Sequence, residues 1–107
     1  MTRKIEVVKW IEGEGENTAE MNTMKLIDIL INNKKPEELP RGWDNFRTFK
    51  RIYKSFDKAL ETGFIEIDDA DYVFMRKIIE KDVPARWAGI EKACKAMDNF
   101  MESKEEE

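Results

Sequence analysis

The sequence predicts a mainly α fold of the α+β class, a four-helix body with a minimal two-stranded β element in the order β-α-α-β-α-α. Three observations carry that expectation. Apolar residues recur every three or four positions through residues 46–60 and 87–101, the period of an α-helix with one buried face. Two short β-branched runs, 4–11 and 64–67, read instead as strands. Prolines and glycines fall between these segments, where connecting turns belong. At 107 residues the chain is expected to be one domain, 1–107, able to bury a core without disulfides or a structural metal.

The elements follow in order. Residues 4–11, Lys4 to Ile11, are β-branched and aromatic with partial alternation, and predict a strand. Glu12-Gly13-Glu14-Gly15-Glu16 breaks it as a flexible, self-repelling loop, too short and irregular for a metal cage. A first helix is expected within 18–33. Asn17 with Glu20 competes with Asn22 or Thr23 for its N-cap, and Leu26, Ile27, Leu30 and Ile31 form its buried face. Pro36 ends it by driving Lys35 out of helical space, and 36–42 is a connecting loop.

A second helix, 44–62, is expected to be capped by Asp44 and stopped by Gly63. Phe46, Phe49, Tyr53, Phe56 and Leu60 share one face and read as an aromatic-rich core stripe. Phe64 to Ile67 is the second strand. Asp68 or Asp69 caps a third helix, 70–81, and the acids at 68, 69 and 71 sit where its dipole favours negative charge. They miss the calcium-loop pattern, which needs a glycine at the place held by Phe74. Val83-Pro84 closes this helix and a fourth begins at Ala85 or Arg86. Its stripe is Trp87, Ile90, Cys94, Met97 and Met101, widened by Ala93, Ala96 and Phe100; small residues at 88, 89, 93 and 96 admit a neighbouring helix. Residues 102–107 read as a frayed acidic tail. If the strands do not pair, the alternative is an irregular bundle with 4–11 packed as an arm.

Composition excludes much chemistry. There is no histidine and one cysteine, so an imidazole-assisted nucleophile, a Cys/His zinc site and a thiol redox pair are all absent. No catalytic, cofactor or metal residues are expected. Asp68, Asp69 and Asp71 around magnesium is the one enzymatic arrangement that carboxylates alone would allow. No apolar run approaches the roughly 18 residues that span a bilayer, and the first residues lack a signal-peptide block. A cytoplasmic protein with no membrane association is expected, its unpaired thiol fitting a reducing compartment. Abundant Glu and Lys with no Gln lean towards a thermophilic host, against which six Asn and six Met weigh.

The net charge is −4, yet residues 34–58 carry a local balance of plus four. On the second helix Arg47, Lys50, Arg51, Lys54 and Lys58 fall within an arc of about 100°, placed opposite the aromatic stripe. That ridge is either a solvated face or a site for an acidic partner or phosphates. A recognition-helix arrangement is missing, because the second helix runs into a strand. Trp43, beside Arg41 and Gly42, reads as a lid over the core or as an interface anchor. The rhythm of helices two and four lasts about two heptads, too short for a coiled coil, so monomer and homodimer both stay open.

The unit Ile65-Glu66-Ile67-Asp68-Asp69-Ala70-Asp71, followed by Trp87 and Ile90, resembles a loose group of small tailed-bacteriophage proteins. In that group a first helix, a Pro/Gly loop, a basic second helix, a Leu-Glu-Asp-Ala-Asp-like junction and a tryptophan-bearing last helix follow in this order. The resemblance covers residues 22–101 and leaves 1–21 without a counterpart. It implies a viral origin and a small non-enzymatic role, and carries over no site residues. The expectation is a protein-protein interaction module, an assembly factor or an inhibitor of a host complex. The alternative is a nucleic-acid-associated regulator using the basic helix face.

Overall fold

The computed structural model describes residues 2–104. Four strands and four helices follow in the order β1 (Thr2–Glu6), β2 (Lys9–Glu12), β3 (Ala19–Asn22), α1 (Thr23–Asn32), α2 (Trp43–Thr62), β4 (Phe64–Asp68), α3 (Asp69–Ile79) and α4 (Glu91–Met101). Single 3₁₀ turns at Pro36–Glu38 and Ala85–Gly89 complete the path. The predicted class holds, and the strands at the chain start and at 64–67, whose pairing the sequence leaves open, do pair.

β1 and β4 are antiparallel, with Ile5 opposite Ile65 and Arg3 opposite Ile67. Alternation puts Ile5, Ile65 and Ile67 on the inner face, all buried, and leaves Lys4, Glu6, Phe64 and Glu66 outside. The single strand expected over 4–11 is in fact two. The chain bends at Val7–Val8, and β2 leaves to pair with β3 in a second sheet, Lys9 opposite Asn22 and Trp10 opposite Met21. The bend is pinned from both sides: the Val8 N–H donates to Thr23 Oγ1 at 3.0 Å and the Thr23 N–H donates to Val8 O at 3.1 Å. The Gly-rich segment is therefore a hairpin turn. Gly13 is required there, since a Cβ would stand 2.0 Å from the Asn17 carbonyl oxygen.

Because 19–22 is a strand, α1 begins later than the early cap candidate implied. Asn22 is the cap, its side chain accepting from the Lys25 N–H at 2.9 Å. Leu26, Ile27, Leu30 and Ile31 are buried as expected. α2 is entered through Gly42 rather than capped by Asp44, which lies in its first turn. Gly63 ends α2 at φ 82°, the left-handed residue that lets the chain reverse directly into β4.

The fourth helix departs furthest from the expected boundaries. The chain after Pro84 forms a 3₁₀ turn, and α4 starts only at Glu91. Trp87 and Ile90 thus lie off the helix, Trp87 half-buried against the core and Ile90 exposed. The buried face of α4 is Ala93, Ala96, Met97 and Phe100, with Cys94 at its margin. Ala93 and Ala96 let α4 lie close to α1, a packing within the chain. The end of α4 is tied down by Arg3. Its guanidinium sits 4.0 Å from the Tyr72 ring, donates to Asp69 at 2.7 Å and reaches the Ser103 carbonyl, while Tyr72 donates to the Phe100 and Met101 carbonyls. The acidic tail is described through Lys104; 105–107 lie outside the described residues.

One core joins these elements: Ile27 and Leu30 of α1, Ile52 and Phe56 of α2, Ile65 and Ile67 of β4, Tyr72, Met75 and Ile79 of α3, and Phe100 of α4.

Candidate functional site

The face that α2 buries is not the aromatic stripe. Ile52, Phe56 and Ala59 are the buried residues of the helix, and their arc is turned about 70° from the centre of the stripe. Gly63 folds β4 back along α2, and the arc with the small Ala59 and the β-branched Ile52 allows the closest approach. Of the five stripe residues only Phe56 is core and Phe49 is half-buried. Phe46 and Leu60 are 55% and 52% exposed, and Tyr53 is partly open.

The rings of α2 fall into two contacting sets along the helix. Trp43 stacks on Phe46 at 5.0 Å, Phe49 on Tyr53 at 6.2 Å, and Tyr53 meets Phe56 edge-on at 6.0 Å. Phe49 is braced from below by Phe74 of α3 at 5.3 Å. Trp43 is 70% exposed at the start of the helix. At that exposure it is not a lid over the core. Pro40, Gly42, Phe46, Phe49, Tyr53, Lys50, Lys54 and Asp57 enclose an open groove of about 840 Å³.

The basic ridge does not stand opposite this surface; it flanks it. Lys50 and Lys54 form one wall of the groove, with Arg47 and Lys58 farther round the helix and Arg41 in the entry loop, where its carbonyl accepts from the Asn45 amide. Arg51 is taken out of the ridge. Its Nε and Nη2 donate to the two oxygens of Asp71 at 3.1 and 3.0 Å, and this bonding, followed by the carboxylate's charge, holds the guanidinium above its already high pKa. Asp28 of α1 lies behind Tyr53. Desolvation raises its carboxyl above the ordinary value despite the hydrogen bond from Tyr53, whose own phenol is raised by desolvation and by the Asp28 charge.

The three acids at the start of α3 do not converge. Asp69 serves Arg3 and Asp71 serves Arg51, and among the described residues no group of three His, Cys, Asp or Glu side chains is placed to hold a metal. Cys94 points its thiol at the Asp98 carboxylate, 3.7 Å away. Desolvation, with that neighbouring charge, pushes the thiol pKa up, away from the reactive thiolate. Among the described residues no helix is long and apolar enough to cross a membrane.

Sequence reasoning named Trp43, Lys50 and Lys54 but assigned Phe46 and Tyr53 to the core and passed over Pro40. The available signal was the second apolar arc through Ile52 and Ala59, which leaves α2 with more apolar surface than one neighbour covers. Comparison with protein-family models, curated protein sequences and solved structures gave no match.

Proposed function

We propose that the chain is a small non-enzymatic protein-interaction module whose α2 groove receives an acidic, apolar segment of a partner protein. The observation that carries this reading is the exposed aromatic surface from Trp43 to Tyr53 with Lys50 and Lys54 as its wall. Rigid aromatic anchors in a concavity, bordered by charge, are the features that concentrate binding energy at interfaces. The lysine wall selects for acidic partners and speeds encounter. The proposed setting is the cytoplasm. The resemblance to small phage proteins supports an assembly factor or an inhibitor of a host complex as the role.

One feature favours a second reading, a nucleic-acid-associated regulator. An exposed indole one helical turn from Arg47, on a helix that also carries Lys50 and Lys54, is also a stacking platform for unpaired bases. The net charge of −4 and the loss of Arg51 to Asp71 weaken it.

The test is affinity capture from host-like lysate with the tagged chain, half nuclease-treated, beside K50E/K54E and F46A/Y53A variants checked for folding by circular dichroism. A protein retained after nuclease by the wild type and lost from both variants is the expected result. Equal capture by the variants would refute the groove. Recovery that disappears with nuclease, and falls steeply with salt, would transfer the site to nucleic acid.

A further inference from the structure

The groove has a counterpart on the same chain. From Lys9 to Asn22 the β2–β3 hairpin carries Glu12, Glu14, Glu16 and Glu20 against Lys9 alone, a net charge of −3. From Arg41 to Lys58 six basic residues, of which Arg51 is paired with Asp71, stand against Asp44 and Asp57, a formal charge of +4 for the segment and +3 without Arg51. The match extends to apolar surface. Ile11 is 69% exposed and stands opposite Glu20, in a shallow pocket that it shares with Lys9 and with Leu60 of α2.

The hairpin is anchored at the other end of α2 from the mouth of the groove. Lys9 Nζ donates to the Leu60 carbonyl at 3.2 Å, and Leu60 lies about 21 Å along the helix from Phe46. The two surfaces therefore meet most readily between molecules.

We infer that the hairpin of one copy seats in the α2 groove of a second copy, Ile11 entering between Phe46 and Tyr53 while the glutamates face Lys50 and Lys54. The inference rests on the reading that this groove receives acidic, apolar protein segments, and it names the segment. The contact joins two different patches, so it builds a reciprocal dimer if the rotation closes and a chain of copies if it does not. A self-associating protein of this kind covers its own exposed apolar surface at high concentration and releases it on dilution or in salt.

The test is sedimentation velocity of the 107-residue chain over a concentration series, at low and high salt. Three variants are run beside it: K50E/K54E, E14K/E16K, and the fourfold combination. All changes are on exposed side chains, and circular dichroism checks the fold. The wild type is expected to associate with concentration and less so in salt. Each pair of reversals should weaken association by about tenfold or more, and the fourfold swap should restore most of it, since opposite charges then face each other again. A wild type that stays monomeric at millimolar concentration, or association indifferent to both reversals, overturns the inference. An unrelated synthetic peptide alternating glutamate with leucine and phenylalanine, titrated by NMR against the same samples, separates the two levels of argument. If it shifts the amides of residues 43–57 while the protein does not self-associate, the groove stands and the hairpin is not its occupant. If neither peptide binding nor self-association is seen, both readings fall.

Discussion

Phe46 and Phe56 lie on one helix and belong to the same sequence rhythm, yet their environments set very different costs for their removal. Phe56→Ala empties a buried site and should cost about 3 to 5 kcal/mol. Phe46→Ala removes a half-exposed ring and should stay within about 1 kcal/mol, while weakening whatever the groove binds. Urea unfolding of both variants checks the pair. Asp28 offers a second residue-scale prediction. Its folded pKa is raised above the unfolded value, so the folded state holds the proton more tightly and stability falls as pH rises through that window. Asp28→Asn keeps an acceptor for Tyr53 and removes the half-buried charge. The variant should melt higher than wild type at pH 7, and the gap should close as the pH falls below the ordinary aspartate range. A gap independent of pH would assign the effect to packing. The rhythm of the aromatics was legible in the sequence; which of them are core was not, because large rings at helical spacing suit a core and an open groove equally well.

At the scale of the element, α2 and α3 are joined by Arg51 and Asp71, and the two partners are unequally placed. Asp71 is buried, its side chain 10% exposed, whereas Arg51 is 54% exposed. Arg51→Ala strands a buried carboxylate and should cost about 1 to 3 kcal/mol. Asp71→Ala releases the arginine into water and should cost about 1 kcal/mol or less, mostly its favourable place in the first turn of α3. The double variant should then resemble Asp71→Ala alone. Denaturant midpoints for the cycle test this, and equal single-variant costs would mean the carboxylate rehydrates. Element boundaries were legible where one residue dominates locally, as at Gly63 and at the apolar face of α1. They were obscured where tertiary pairing decides. Ala19–Asn22 is a strand because β2 is there to receive it, which moves the start of α1 to Asn22. Ala85–Gly89 tightens into a 3₁₀ turn although Trp87 and Ile90 continue the helical spacing of α4.

Across the whole molecule charge is segregated rather than mixed, a basic α2 against an acidic hairpin, and this was visible in the sequence as a local excess over 34–58. Its position beside an aromatic groove was not, since that depends on how far α2 is rotated about its own axis. The mutual hydrogen bonds of Val8 and Thr23 have a further consequence. The chain departs at one of these residues and comes back to the other at contact distance, so residues 9–22 are an appendage on a closed body, a natural site for insertion or excision. Replacing 10–21 by Asn-Gly keeps the Lys9–Asn22 pair and the helix cap, and supplies the two-residue turn that such a pair accepts. The shortened chain should retain its helical circular dichroism, with a lower melting temperature from the loss of Trp10 and Met21 against the core. A chain that no longer folds would show that the hairpin is instead part of the body's foundation. If it folds, scaffold and appendage are separable, and the appendage can be exchanged or lengthened without redesigning the four helices that carry it.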